Sequence, residues 1–210
     1  MELLCFDLDN TLVKATKAHI EAFKKAFKIH KLKPKIDNQI IQVFSLASID
    51  MIPKLYPQLN KHQILEITET HDKIFQTETK KYIKIIPGVK ETLKTLKLKY
   101  KIAILSNANH TNVITALKQC NINKNIFDLI LSADQIKHHK PHPEGIFKAK
   151  TKLNCSTGYM IGDSIYDIQA GKAAKFKTIA VTTGPDSKNK LLKEHPFITI
   201  NNIKKFKNKL

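Results

Sequence analysis

The sequence predicts an α/β fold, a doubly wound parallel sheet with an α-helical segment inserted after its first strand. Three observations predict it. The first half of Leu3–Leu12 (LLCFDLDNTL) and the stretches 101–106, 128–132, 158–162, 177–182 and 197–200 are apolar runs of buried-strand length. Helical patterns separate most of the later strands, and strands alternating with helices imply a parallel sheet covered on both faces. Residues 14–85, by contrast, carry only helical spacing, so the chain divides into 1–13 with 86–210 as an α/β core and 14–85 as an inserted helical bundle.

Taken in order, the first strand ends in Asp7 and Asp9, and Asn10 tolerates the left-handed backbone of a sharp turn. Thr16 is suited to cap a helix in which Ile20, Phe23 and Phe27 recur at helical spacing. A second helical pattern carries Ile36, Ile40 and Phe44, and a third carries Ile64, Ile67, His71, Ile74 and Phe75. His71, on an apolar face, reads as a core or interface histidine. From Pro87 and Gly88 the alternation begins, with helices over 88–97, through Val113, Ile114, Leu117 and Cys120, over 143–153 and over 164–174. Residues 184–190 form a polar loop and Lys204–Lys209 a short basic helix with a solvated face. The strand order expected of such a chain is 3-2-1-4-5-6.

At 210 residues the chain is long enough to bury a sizeable core. No apolar run has the length of a membrane span and no signal-peptide layout opens the sequence, so no membrane partner is expected. Cys5, Cys120 and Cys155 are odd in number and set in apolar patterns, which points to buried free thiols and a cytoplasmic location. The net charge of +18 comes from lysine alone, because the chain has no arginine. Arginine is the side chain that clamps phosphates and reads guanine edges bidentately, so specific nucleic-acid binding is not expected. His138, His139 and His142 read as a surface loop, since adjacent histidines point apart and no cysteine accompanies them.

In a parallel sheet all strand ends lie on one edge, and in open α/β sheets that edge binds ligands. Asp7 and Asp9 end the first strand, Ser106 and Asn107 the second, and Gly162, Asp163 and Ser164 the fourth. Ser106 and Asn107 stand just before a helix, whose N-terminal amides are expected to face the same edge. Lys140 follows the third strand between His139 and Pro141, and Asp167 lies one helical turn after Asp163. Carboxylates so gathered repel unless a cation neutralises them, and an all-oxygen set with few protein ligands favours Mg²⁺. The ammonium, hydroxyl and amides then suit phosphoryl oxygens.

The ordered motifs DLDNT, LSN, KPHP and GDSIYD resemble those of the haloacid dehalogenase superfamily, most closely its phosphoglycolate phosphatase-like members with a helical cap. The similarity runs nearly end to end, including PGV at 87–89 and QAGKAA after Asp167. It implies a Rossmann-like core of that superfamily with 14–85 as the cap. It also implies that Asp7 is the nucleophile forming an aspartyl-phosphate, and that Asp9 protonates the leaving oxygen and then activates water. Ser106, Asn107 and Lys140 would bind phosphate. Asp7, the Asp9 main-chain carbonyl and Asp163 would bind Mg²⁺, with Asp167 acting on these ligands from behind.

The sequence departs from that pattern in three places. Asn10 replaces the usual glycine, Lys14 and Ala15 replace Asp-Ser, and the cap loop SLASID at Ser45–Asp50 lacks the common glycine, so substrate contacts do not carry over. Asp9 argues against dehalogenase chemistry. The implied activity is Mg²⁺-dependent hydrolysis of a small phosphorylated metabolite of the phosphoglycolate type, by a monomer or weak homodimer. A nucleotidase, a pyrophosphatase or a sugar phosphomutase on the same core is the alternative, and a polyanion-binding protein with a vestigial site is the non-enzymatic one.

Overall fold

Period-two burial builds the core. Along β1 (Leu3–Phe6), Leu4 and Phe6 join one apolar cluster while Leu3 and Cys5 join a second on the other side of the sheet. The same split recurs in β4 (Lys101–Leu105), with Ile102 and Ile104 on one face and Ala103 and Leu105 on the other, and in β6 (Gly158–Gly162), where Ile161 and Met160 part company. A strand apolar on both faces needs helices on both. α5 (Val89–Lys97) and α6 (His110–Gln119) cover the first face, while α7 (Glu144–Leu153) and α8 (Ile165–Ala173) contribute to the second cluster.

The computed structural model describes residues 1–208. With β5 (Leu129–Leu131), β7 (Lys177–Val181) and β8 (Ile198–Ile200), the six strands follow the order β5-β4-β1-β6-β7-β8, all pairs parallel. That is the expected 3-2-1-4-5-6. β1 is central, pairing Phe6 with Ile104 on one side and with Ile161 on the other, and the Asp7 amide continues the ladder to the Ile161 carbonyl at 2.8 Å. The residues after β1, β4 and β6 therefore emerge side by side.

Between β1 and α5 lies the helical segment, comprising α1 (Thr16–Ile29), α2 (Asp37–Ile41), α3 (Ser48–Leu55) and α4 (Lys61–Ile74), with a π-helical turn at Phe75–Thr79. Its apolar faces, including Phe23, Phe27, Ile67 and Phe75, are continuous with the cluster on the α5/α6 side of the sheet. Each fully buried phenylalanine there contributes about 1.5–3 kcal/mol of transfer free energy. Two short strands, β2 (Val13–Lys14) and β3 (Lys84–Ile85), form an antiparallel ribbon where the chain enters and leaves this segment.

Several local expectations need correction. Thr16 is the first helical residue rather than the cap, and its hydroxyl donates to Asn10 Oδ1 at 2.8 Å. The loop at Ser45–Asp50 gives way to a helix from Ser48, which no apolar periodicity in SLASID announces. The polar loop 184–190 runs into α9 (Lys188–Lys193), where Ser187 accepts from the Lys190 amide as N-cap. The two-residue ribbon strands were too short to register as alternation. In the basic tail, Ile203 and Phe206 are buried, and Lys209 lies outside the described residues. Cys5, Cys120 and Cys155 are free and buried, as expected.

Candidate active site

The sheet edge gathers the strand-end residues because the backbone after β1 turns at once. Asn10 adopts φ +61°, the left-handed conformation expected of it, and the turn closes through the Asn10 amide donating to the Val13 carbonyl at 2.5 Å. Two glycines allow close approach on the β6 side. A Cβ on Gly162 would sit 2.2 Å from the Asp167 carboxyl carbon, and one on Gly184 would sit 1.8 Å from Asp163 Oδ2.

Lys140 stands at the centre. Its ammonium donates to Asp7 Oδ1 and to Asp167 Oδ1, both at 2.6 Å, and all three side chains are buried. Asp167 Oδ2 accepts from the Ser164 amide at 3.1 Å and from its hydroxyl at 2.6 Å, so both Asp167 oxygens are engaged within the protein. Asp163 Oδ1 accepts from Thr11 at 3.0 Å. Carboxylate oxygens of Asp7, Asp163 and Asp167 lie within 4.8 Å of one another. A cavity of about 50 Å³ opens over them, also lined by Asp9, Ser106 and Asn107.

Ser106 accepts from the Ala108 amide at 3.1 Å, which leaves its hydroxyl hydrogen for another acceptor. Asn107 braces the lysine from behind: its side-chain NH₂ donates to the Lys140 carbonyl at 3.1 Å and the Ser45 carbonyl at 3.0 Å, while its oxygen accepts from the Lys140 amide at 3.0 Å. The expected helix N-terminus is differently employed. α6 starts only at His110, whose amide donates to Asp134, and its cap Asn109 takes the Asn112 amide.

Electrostatics follow from this geometry. Burial pushes Asp7 up to about 7; Lys140 pulls against that shift, while Asp167 and Asp9 add to it. Asp163 is pushed well above the ordinary carboxylate range by burial, then by Asp7 and Asp167. Burial lowers the Lys140 pKa, but Asp167 and Asp7 more than offset this and hold the ammonium charged.

Residues 4–181 match the family described as haloacid dehalogenase-like hydrolase. The chain belongs to that family. It is 30% identical over 189 residues to pyrophosphatase PpaX of Listeria monocytogenes, covering 85% of this chain and 82% of the relative. It is 28% identical to pyrophosphatase PpaX of Halalkalibacterium halodurans, covering 84% and 81%. Among solved structures, a hydrolase from Pseudomonas syringae superposes with a TM-score of 0.89 at 21% identity, covering 99% of this chain and 97% of that one. A predicted phosphoglycolate phosphatase from Haemophilus somnus gives 0.85 at 21% identity with the same coverage. The protein is therefore an enzyme, a phosphatase of the haloacid dehalogenase-like hydrolases. Among the described residues, no helix is long and apolar enough to cross a membrane.

Sequence reasoning missed four residues of this hydrolase's site region. Thr11 was given no role of its own, yet it is the donor to Asp163. His19 lines the cavity with Nε2 3.4 Å from Asp9 Oδ2. Asp72 meets the core from α4, and Asn112 completes the cavity wall from α6. The periodicity placing His19 one residue before Ile20 on α1 was a usable signal for an inward-facing polar group, but the partners of Thr11 and Asp72 lie 152 and 40 residues away. His138 and His142 are exposed, with Glu144 beside them. Both Glu144 oxygens accept from loop amides, of Lys137 and of His138, each at 2.9 Å.

The acidic cluster fits a hard dication. Its donors are oxygens only, and burial raises the pKa values of Asp7 and Asp163, a shift that an added dication would counter. A carboxyl whose folded-state pKa exceeds its unfolded value contributes stability that is full below about pH 4 and lost as pH rises through the folded value, here about 7 for Asp7. A bound dication reverses that loss where the carboxyls ionise. Saturating Mg²⁺ at about pH 7.5 is thus expected to raise Tm by about 5 °C or more, with less than half that shift at about pH 5. Thermal melts of the parent and of Asp163→Asn check this: an equal shift at both pH values that survives Asp163→Asn would assign the effect to a site elsewhere.

Proposed function

We propose that the enzyme hydrolyses small anionic phosphomonoesters, of the size and charge of 2-phosphoglycolate, through an aspartyl-phosphate on Asp7, in the cytoplasm. One observation carries the reading. Asp7 lines a small cavity with Lys140 bonded to it, and Asp9, two residues on, lines the same cavity. A phosphoryl group over Asp7 would put its leaving oxygen in the space that Asp9 also borders.

In this reading Asp7 attacks phosphorus, and Asp9 gives a proton to the departing alkoxide, then withdraws one from the water that opens the acyl-phosphate. Ser106 and Lys140 hold the phosphoryl oxygens, and Asn107 and Asp167 hold Lys140. Asp7, the Asp9 carbonyl and Asp163 would hold Mg²⁺, which when bound offsets charge on carboxylates and phosphate alike. The segment 14–85 serves as a cap over a core of 1–13 and 86–210, its ribbon β2/β3 being the double connection about which it moves. Phe44, Leu46 and Met51 of that segment close the cavity from above and keep water from the acyl-phosphate. The three buried free thiols support a reducing compartment.

The relatives named pyrophosphatase favour a second reading, hydrolysis of inorganic pyrophosphate. The cavity favours the ester for its carbon skeleton: among the described residues lining it, Lys140 is the one ammonium and two carboxylates already share it, while Phe23, Phe44, Leu46 and Met51 offer apolar contact that a second phosphate cannot use. Comparing kcat/KM for 2-phosphoglycolate, a sugar phosphate, a nucleoside monophosphate and pyrophosphate at fixed Mg²⁺ decides between them. The expected order puts 2-phosphoglycolate first, and an advantage of about tenfold or more for pyrophosphate or the nucleotide, equivalent to roughly 1.4 kcal/mol in transition-state binding, would overturn it.

A further inference from the structure

The loop between β5 and α7 carries, outside the catalytic cavity, a cluster of metal-ligating side chains that the proposed chemistry does not use. His138 and His139 point apart, as neighbours in a chain must. His139 turns its Nδ1 to Asp50 Oδ2 of the helical segment at 2.7 Å, while His138 turns its Nδ1 to Glu144 Oε2 at 2.9 Å. The loop then doubles back, the His142 amide donating to the His139 carbonyl at 2.9 Å. That turn brings the His142 ring beside the His138 ring, with 4.6 Å between centroids. A ring nitrogen of His138, a ring nitrogen of His142 and a carboxylate oxygen of Glu144 lie within 4.8 Å of one another. Among the described residues two groupings of this kind occur, and the other is the acidic cluster of the active site.

The two groupings differ in chemistry. Asp7, Asp163 and Asp167 offer oxygen alone, which suits Mg²⁺, whereas two imidazoles with one carboxylate are the mixed donors that Zn²⁺ and its late first-row neighbours prefer. Glu144 arrives ionised and oriented: the amides of Lys137 and His138 donate to its two oxygens, each at 2.9 Å, and hold its pKa down at about 2. Oε2 takes the His138 amide with one lone pair and faces His138 Nδ1 with the other. Zn²⁺ binds imidazole nitrogen and carboxylate oxygen at about 2.0–2.2 Å, so two such ligands at a tetrahedral angle stand roughly 3.4 Å apart. An outward turn of the half-exposed His138 ring by roughly half an ångström opens that room for an ion in place of the hydrogen. His142 Nδ1 accepts from the Glu144 amide at 3.2 Å, a long bond at an exposed helix end, where water replaces it when the ring turns to a metal.

We propose that His138, His142 and Glu144 form a binding site for Zn²⁺ or a neighbouring late first-row dication, distinct from the Mg²⁺ cluster. None of the three lines the catalytic cavity. His138 and His142 flank Lys140 in the chain, so an ion held by both would clip the two sides of the loop that presents this lysine. Three protein ligands leave a fourth position for water.

The test does not depend on what the enzyme hydrolyses. Zn²⁺ is titrated by calorimetry into full-length Asp163→Asn protein in excess Mg²⁺, which disables the acidic cluster as a competing Zn²⁺ site. One equivalent is expected to bind in the low micromolar range. Adding His138→Gln or His142→Gln, each at an exposed ring, is expected to weaken binding by about tenfold or more, and adding His139→Gln by less than about twofold. The imidazole ¹⁵N resonances of His138 and His142, and not those of His139, are expected to shift with the first equivalent. Failure to bind Zn²⁺ would overturn the inference. Binding that survives both substitutions would overturn it too, placing the ion elsewhere, for instance at exposed His62 with Glu66. Loss in only one of the two variants would overturn the shared site.

Discussion

Replacing Asp7 with asparagine is expected to abolish turnover, by about four orders of magnitude or more, in a protein that still folds. The amide keeps the size of the carboxyl and much of its hydrogen bonding but has no anion with which to attack phosphorus. Lys140 keeps its second partner, Asp167 at 2.6 Å, so the ammonium is not left unpaired. The fold has little reason to suffer. Asp7 is pushed up to about 7 by burial, which means that the folded protein disfavours its charged form, and a neutral isostere removes that burden. The Asp7→Asn protein, free of metal at about pH 7.5, should accordingly melt no lower than the parent. Acid-quenched single turnovers check the chemistry: phosphate on the parent protein and none on the variant is the expected pair of results. Turnover within about a hundredfold of the parent would falsify the covalent route.

Lys140→Met is expected to damage both stability and catalysis. Methionine fills much of the lysine's volume without its charge, leaving Asp7 and Asp167 buried with no ammonium between them. Breaking a buried ion pair from one side typically costs about 3–5 kcal/mol. Here the pH dependence has a defined sense. Asp7 and Asp163 sit with raised pKa values, so in the variant they relax by taking up protons as pH falls, and the destabilisation should shrink between about pH 7.5 and about pH 5. Turnover should fall by about 10²–10³ through loss of the charge that meets the phosphoryl oxygens. Lys140→Arg should rescue little, because a planar fork cannot place one donor on Asp7 and one on Asp167 within the space of an ammonium bonded to each at 2.6 Å. Urea unfolding at the two pH values, alongside kcat, tests both halves. Undiminished stability at about pH 7.5 would show that the lysine's pairing is incidental to the fold.

The gathering of Asp7, Asp163 and Lys140 was legible in the sequence because it needs only topology. Each ends a strand or follows one, and a parallel sheet brings such ends to one edge whatever the details of packing. The same reasoning covers the strand order, since each strand's apolar run and all but the last intervening helix were visible as local periodicity. It extends to Asn10, whose left-handed backbone is a property of a single residue in a tight turn.

Where a group's role depends on which of its atoms meets which partner, local pattern carries no information. Asn107 stood beside Ser106 at a strand end and so shared its expected phosphate role, yet its amide spans the carbonyls of Ser45 and Lys140, an arrangement set by how the helical segment rests on the core. The helix amides expected after Ser106 are taken by Asn109 and Asp134 because the helix starts at His110 and not directly after Asn107. The helix at Ser48–Leu55 forms in a stretch with no strong periodicity and with Pro53 inside it, buried through Met51, Ile52 and Leu55. Tertiary burial outweighs weak propensity there. Sequence pattern placed His71 in the core or at an interface and assigned nothing to His19 or Asp72. Only the packing of α1 against α4, and of α4 against α6, brings them together, because hydrogen bonds between residues 52 and 40 apart are decided by how helices pack rather than by local sequence.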